Sequence, residues 1–377
     1  MKNKFLKRYL IIILVVFSLF CISCNEYDSD GYQKEINLDY ISNQNDDAKV
    51  KNIILLIGDG MGVNHVEVTK KTLDSNQKLD LELAEYTSMV TTYCIDEPVT
   101  DSAASGTAMA TGYKTIYKRL GMDEERNEVK NILEYAYDKG LGTGIVTDEE
   151  LYDATPAAFS SHVRQRYTYK NDILEQQVSS KIDLLIGFGE QTYCTYEDKI
   201  TQNGFKYVNN KSNFNKVKSS KVFAAFPVGD TYKDDVPTLY EMTDKALDIL
   251  SKNEKGFVLV VECGKIDGAS HDGNIIEMTE QVKMLDKTLR VILNFMRSND
   301  ETLVIATADH ETGGLVIGDG DLSDNWFTDY SSNTEGKHYH TDQDVKLYAF
   351  GTKSKIFDNK KLDNTDIFKI MKEELGL

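Results

Sequence analysis

Residues 52–57 read NIILLI and run directly into Gly58-Asp59-Gly60-Met61-Gly62. An apolar strand that ejects one carboxylate into a loop of glycines constrains the fold more than any other feature of the chain. The glycines let backbone crowd a ligand, and the lone Asp59 carboxylate is placed to hold a cation. The arrangement recurs at Val99-Thr100-Asp101-Ser102-Ala103-Ala104-Ser105-Gly106 and at Thr307-Ala308-Asp309-His310, each a polar cluster at the end of an apolar run. Further strands are expected at 142–146, 183–187, 257–261, 303–306 and 346–350. Between them, 237–252 and 275–297 carry apolar residues at three- and four-residue spacing, the period of a helix. Strand–helix alternation predicts an α/β fold: a central, mostly parallel sheet with helices on both faces and ligands outside the carboxyl ends of the strands. With four prolines and no Pro/Gly-rich linker, residues 50–377 read as one domain, and 199–221 as a surface elaboration.

The N-terminus is different in kind. Lys2, Lys4, Lys7 and Arg8 precede an apolar run from Tyr9 to Phe20 and then Cys21-Ile22-Ser23-Cys24. The run is shorter than the roughly 18 residues a spanning helix needs. A small residue just before Cys24 reads as a lipoprotein-type signal over residues 1–24, with Cys24 lipidated and the protein exported and lipid-anchored in a bacterial envelope. A plain secretory signal and a short membrane anchor are the alternatives. Residues 25–49, rich in Asn, Asp and Ser, read as a solvated tether. Only Cys94, Cys194 and Cys263 remain beyond it, so at most one disulfide can form. A formal charge of -18 without a basic cluster in the body argues against nucleic acid as a specific ligand. Metal ions of the protein's own can still reverse the local field for a phosphate.

Each polar cluster has a plain structural reading beside a chemical one. A strand-end Asp59 can simply form a turn. Thr100, Asp101 or Ser102 can cap the helix that the small residues 103–111 suggest, yet a serine at a helix N-terminus also faces donors suited to a phosphoryl group. No histidine is near Ser102 in sequence, so a metal must activate it. In Glu262-Cys263-Gly264-Lys265-Ile266-Asp267-Gly268-Ala269-Ser270-His271, a helical Asp267 and His271 at i,i+4 offer zinc two ligands, or merely pair with each other. Glu262 on the strand end suits a harder cation. Asp309 and His310 reach one ion only if their strand has already ended. His338 or His340 can serve as a ligand ahead of the last strand. His65 and His162, in apparent helices, read as structural. Asp153-Ala154-Thr155-Pro156 can start a helix, and Arg166 is either a solvated charge or a two-toothed clamp for phosphate oxygens.

In order and spacing these motifs resemble the alkaline phosphatase family from about residue 51 to residue 350. The resemblance implies hydrolysis of small phosphate monoesters through a phosphoserine, with two zinc ions and one magnesium; a homodimer is its expected assembly. Carried over by motif, TDSAAS makes Ser102 the nucleophile, with Asp101 orienting the phosphate-clamping Arg166. GDGMG makes Asp59 a bridge between the serine-side zinc and magnesium, and TADH gives that zinc Asp309 and His310. Asp267, His271 and His340, the last from H-T-x-x-D-V, fall to the second zinc; Glu262, Asp153 and Thr155 fall to magnesium. Gly268 departs from the His or Lys often found there, and Asp342 from a usually small residue. Only 29 residues separate His310 from His340, so any crown insertion is small. A phosphodiesterase of the same superfamily and a catalytically silent binding protein are the rival readings.

Overall fold

The NIILLI run becomes strand β1, Asn52–Gly58, and all seven of its residues are buried. Successive strand residues point to opposite faces, so a run buried at every position must be covered on both. The computed structural model describes residues 48–228, 235–329 and 339–377, within one unit spanning Leu38–Leu377. Residues 1–47, which carry the proposed signal, Cys24 and nearly all of the tether, lie outside the described residues, as does His338.

The other strands are β2 Tyr86–Thr91, β3 Gly142–Glu150, β4 Leu184–Phe188, β5 Lys206–Val208, β6 Val222–Phe226, β7 Phe257–Cys263, β8 Thr302–Ala308, β9 Glu311–Thr312, β10 His340–Thr341, β11 Val345–Gly351 and β12 Lys360–Asp363. Ten of them form one sheet in the order β12-β2-β11-β8-β1-β7-β3-β4-β6-β5, while β9 and β10 pair separately. Within the large sheet only the pairings of β11, with β8 and with β2, are antiparallel. Every strand expected from the sequence is present. The stretch at 199–221 is more than a surface elaboration, because its residues Lys206–Val208 pair with β6 and extend the sheet edge. Three residues with one Lys and no repeat give no periodicity to read.

Helices follow their sequence signals. Leu239–Leu250 begins with a capping box between Thr238 and Glu241, and Ile275–Met296 is capped by Asn274. The helix Ser102–Thr111 is buried at all ten positions. Its small residues permit this: a Cβ added at Gly106 would lie 3.0 Å from the Ala158 Cβ of the neighbouring helix Ala154–Ala158. His162, expected in a helix, instead sits in an irregular segment where Nδ1 meets the Gly121 carbonyl at 2.7 Å. Cys94, Cys194 and Cys263 are all unpaired. Among the described residues no helix is long and apolar enough to cross a membrane.

Candidate active site

Parallel register builds the site. Gly58 at the end of β1 lies beside Ala308 of β8 and Cys263 of β7, so Asp59 and Asp309 leave the sheet side by side. β8 ends at Ala308, which frees Asp309 and His310 from strand alternation. The Gly60 amide donates to Asp309 Oδ1 at 3.1 Å from a backbone with φ +72. A Cβ there would fall 2.8 Å from Thr312 Oγ1 and 3.0 Å from Asp267 Oδ1, so both conformation and space require glycine.

A first cluster converges on His310 Nε2, which lies 3.4 Å from Asp59 Oδ1, 3.3 Å from Asp309 Oδ2 and 3.2 Å from Ser102 Oγ. Asp59 Oδ1 and Asp309 Oδ2 are buried and accept no hydrogen bond. Burial, reinforced by Asp309, Asp267, Glu262 and Asp153, pushes the Asp59 carboxyl well up. Burial holds Asp309 up to about 7, with the Gly60 amide opposing and Asp267 adding. Burial, then His340, drives His310 well below its ordinary value. A neutral imidazole facing two carboxylate oxygens that accept no hydrogen bond is a donor set suited to a divalent cation.

The second cluster is Asp267, His271 and His340. The short helix Lys265–His271 places His271 Nε2 3.2 Å from Asp267 Oδ2. His340 arrives through the β9–β10 pairing, which sets it opposite Thr312. Its ring stacks on His310 with centroids 3.6 Å apart. Its Nδ1 meets the Thr100 carbonyl at 3.0 Å, so Nδ1 carries the proton and Nε2 keeps its lone pair. That Nε2 lies 3.1 Å from His271 Nε2 and 3.5 Å from Asp267 Oδ1. Burial raises the Asp267 carboxyl, but His271, His340 and His310 outweigh it and hold it below the usual range. Thr312 Oγ1 donates to Asp267 Oδ1.

The third expected set is looser. The Thr147–Glu262 register of β3 and β7 lets Thr147 Oγ1 donate to Glu262 Oε2. Thr155 Oγ1 is buried without a partner. Among the described residues, Glu262 and Asp153 join no group of three close ligands, unlike the two clusters above. Asp153 lies instead 3.6 Å from Arg166 Nη1. Asp101 makes no hydrogen bond to the Arg166 side chain, although its charge favours the guanidinium: its Oδ1 accepts from the Ala104 and Lys118 amides, and the Arg166 amide donates to the Lys118 carbonyl. The carboxylate is committed to capping the Ser102 helix.

Ser102, Arg166, Asp267, His271 and His340 line one cavity of about 420 Å³, together with Val99, Asp101, Tyr117, Lys118, Tyr167 and Tyr339. Thr100, Thr147 and Thr312, which fix the ligands, and Lys118 escaped the sequence reading. The threonines sit inside or beside the motifs; Lys118 has no local signal. His65 is structural as expected: Nε2 meets Ser270 Oγ at 3.0 Å, and burial lowers it to about 4.

The family model for alkaline phosphatase matches residues 50–339. Alkaline phosphatase 4 of Bacillus subtilis is 36% identical over 72% of this chain, and the match spans 64% of that relative, less than two thirds of its length. Escherichia coli alkaline phosphatase is 30% identical, with 88% of this chain and 87% of that protein covered. The structure of a variant alkaline phosphatase from the Antarctic bacterium TAB5, with magnesium bound, superposes with a TM-score of 0.73 at 26% identity, covering 87% of this chain and 98% of that one.

Proposed function

Because the chain belongs to the alkaline phosphatase family, we propose that it hydrolyses phosphate monoesters through a phosphoserine formed on Ser102. The observation that carries this reading is the Ser102 hydroxyl, which sits on the first residue of a buried helix where Asp59, Asp309 and His310 converge. Asp59, Asp309 and His310 would hold one zinc, and Asp267, His271 and His340 a second, since mixed imidazole and carboxylate donors suit that ion. Oxygen donors Glu262, Thr155 and Asp153 suit magnesium, and the magnesium in the TAB5 structure supports it. When bound, these cations supply positive charge that favours the deprotonated serine and the oxygens that gain charge as phosphorus is attacked.

The rest falls to the chain. Ser102 Oγ forms the bond to phosphorus as the alcohol departs, and water then cleaves the phosphoserine to phosphate and free serine. Asp101 fixes the helix that carries Ser102. Arg166, which lines the cavity with Nη1 3.6 Å from Asp153 and Nη2 donating to the Tyr167 hydroxyl, would turn its fork from these partners to two phosphate oxygens. Thr100 and Thr312 hold His340 and Asp267 in orientation. The test is hydrolysis of 4-nitrophenyl phosphate against its bis ester by the metal-loaded full chain, with metal content measured on the same sample. Monoester hydrolysis should dominate at alkaline pH, and Ser102→Ala should lose at least about 1,000-fold while keeping its metals, as expected when a nucleophile is deleted. A diester rate equal to the monoester rate overturns the reading.

We also propose that Cys24 carries a lipid that anchors the protein in the envelope, supported by the basic, apolar and Ser23-Cys24 sequence before it. An exported mature protein whose mass lacks any lipid rules this out.

A further inference from the structure

Lys118 is one of four described non-glycine residues with positive φ, at +66. A lysine rarely adopts that conformation, because its Cβ crowds the backbone, and such outliers persist only where their surroundings over-determine them. Here the surroundings are the flanks of the nucleophile. The Lys118 amide donates to Asp101 Oδ1 at 3.0 Å, and its carbonyl accepts from the Arg166 amide at 2.9 Å. Reciprocal backbone bonds between Leu120 and Val163 tie the following residues to the Arg166 segment. The peptide is thus clamped between the cap of the Ser102 helix and the phosphate-facing arginine.

The side chain enters the cavity that Ser102 and Arg166 line. Its ammonium lies 5.1 Å from the Tyr117 ring centroid and 5.6 Å from that of Tyr167, within the range of cation–π attraction. Among the described residues it pairs with no carboxylate. Asp153 lies by Arg166, and the Asp101 carboxylate is engaged by two amides. Tyr117, Tyr167 and Tyr339 are exposed at the same cavity, so the alcohol part of an ester must pass this rim. A point charge held at the mouth, with its ring neighbours offering only a weak counter-field, is suited to a second anion on the alcohol part of the ester.

We propose that Lys118 is a specificity residue for phosphate monoesters whose alcohol part carries a second anionic group. This rests on the phosphatase reading. Three esters on one three-carbon frame test it: glycerol 3-phosphate, with no second anion; 3-phosphoglycerate, with a carboxylate; and glycerol 1,3-bisphosphate, with a second phosphate. The wild-type chain should show higher kcat/KM on the two frames that carry a second anionic group than on glycerol 3-phosphate. Lys118→Gly, which also relieves the positive φ, and Lys118→Gln should each lower kcat/KM on those frames by about tenfold, the effect of one lost charged hydrogen bond. Lys118→Arg should retain the preference. A loss confined to the carboxylate ester or to the bisphosphate identifies which anion is recognised.

Equal losses on all three esters, or a preference unchanged in Lys118→Gly, overturn the proposal and leave the phosphatase reading intact. Failure of the wild-type chain to hydrolyse any of the three, or 4-nitrophenyl phosphate, overturns both.

Discussion

Asp80 lies buried beside Asp286 of the long helix Ile275–Met296, and Arg290 of the same helix closes on Asp80 through two bonds of 2.7 Å, from Nε and from Nη2. Asp286 accepts from the Leu81 amide, and burial followed by the nearby Asp80 raises it to about 8. At the strand ends, Asp59 and Asp309 are equally buried, but what faces them is a neutral histidine and a serine hydroxyl. One acidic cluster is completed by the protein's own cation; the other, among the described residues, has no lysine or arginine paired with it and keeps the donor set that the proposed metal would use. The two arginines show the same contrast. Arg290 closes Nε and Nη2 together on one carboxylate, whereas Arg166 divides its fork between Asp153, 3.6 Å from Nη1, and the Tyr167 hydroxyl, 2.6 Å from Nη2, and leaves Nε without a partner. A structural charge cluster is closed during folding, and a functional one keeps its capacity for a ligand.

The largest effect that could break this comparison is in stability. Asp80→Asn should cost about 3 kcal/mol with or without metal, the lower end for breaking a buried ion pair, because the Arg290 side chain is 20% exposed and water softens the loss. Asp59→Asn should leave the metal-free protein unchanged or more stable, by up to about 1–2 kcal/mol, since it removes a buried carboxylate that nothing satisfies. Metal binding should suffer only in Asp59→Asn. Urea unfolding of both variants, stripped and metal-loaded, checks this; equal destabilisation of the two metal-free variants would sink the distinction.

These clusters also differ in how far the sequence reveals them. Asp59, Asp309 and His310 were legible because each follows an apolar run, so position along the chain already gives position at the sheet end, whereas Ser102, well past the end of β2 at Thr91, was legible as the opening of a small-residue helix. Asp267 and His271 were legible through helical spacing, confirmed at 3.2 Å. His340 was legible as one of two histidines before a strand, and the β9–β10 pairing brings it to the site; His338 lies outside the described residues. By contrast, the Arg290–Asp80 pair joins residues 210 positions apart. Nothing local marks either partner. The Arg166–Asp153 approach and the clamping of Lys118 between Asp101 and Arg166 are likewise tertiary facts. Among strands, Lys206–Val208 is too short for a period, while Tyr86–Thr91 alternates only in its latter half. β1, β7 and β8, whose ends carry Asp59, Glu262 and Asp309, are seven-residue runs buried at every position, which is why their part of the site was easier to read than the sheet edges.

The smallest effect is the pH dependence of the metal-free protein, and it separates the clusters once more. Folding holds Asp309 at about 7 and Asp286 at about 8, both from an ordinary 3.8. Above about pH 4 the unfolded chain has released a proton that the folded state still keeps, so each group makes folding less favourable as pH rises. The loss is complete once pH passes the folded value, near 7 for Asp309 and near 8 for Asp286. Each group contributes a slope of at most about 1.4 kcal/mol per pH unit. A bound metal requires its carboxylate ligand deprotonated, so loading with zinc and magnesium should abolish the Asp309 part of the slope. The Asp286 part should survive loading, because Arg290 and the Leu81 amide, not a metal, are its surroundings. Asp286→Asn should remove its own share in both forms, leaving the share of Glu149, which burial raises to about 8. Unfolding free energies measured between about pH 5 and 8 decide it: a slope that metals leave untouched would mean that Asp309 is not a ligand, and the strand-end cluster would then be one more structural pair.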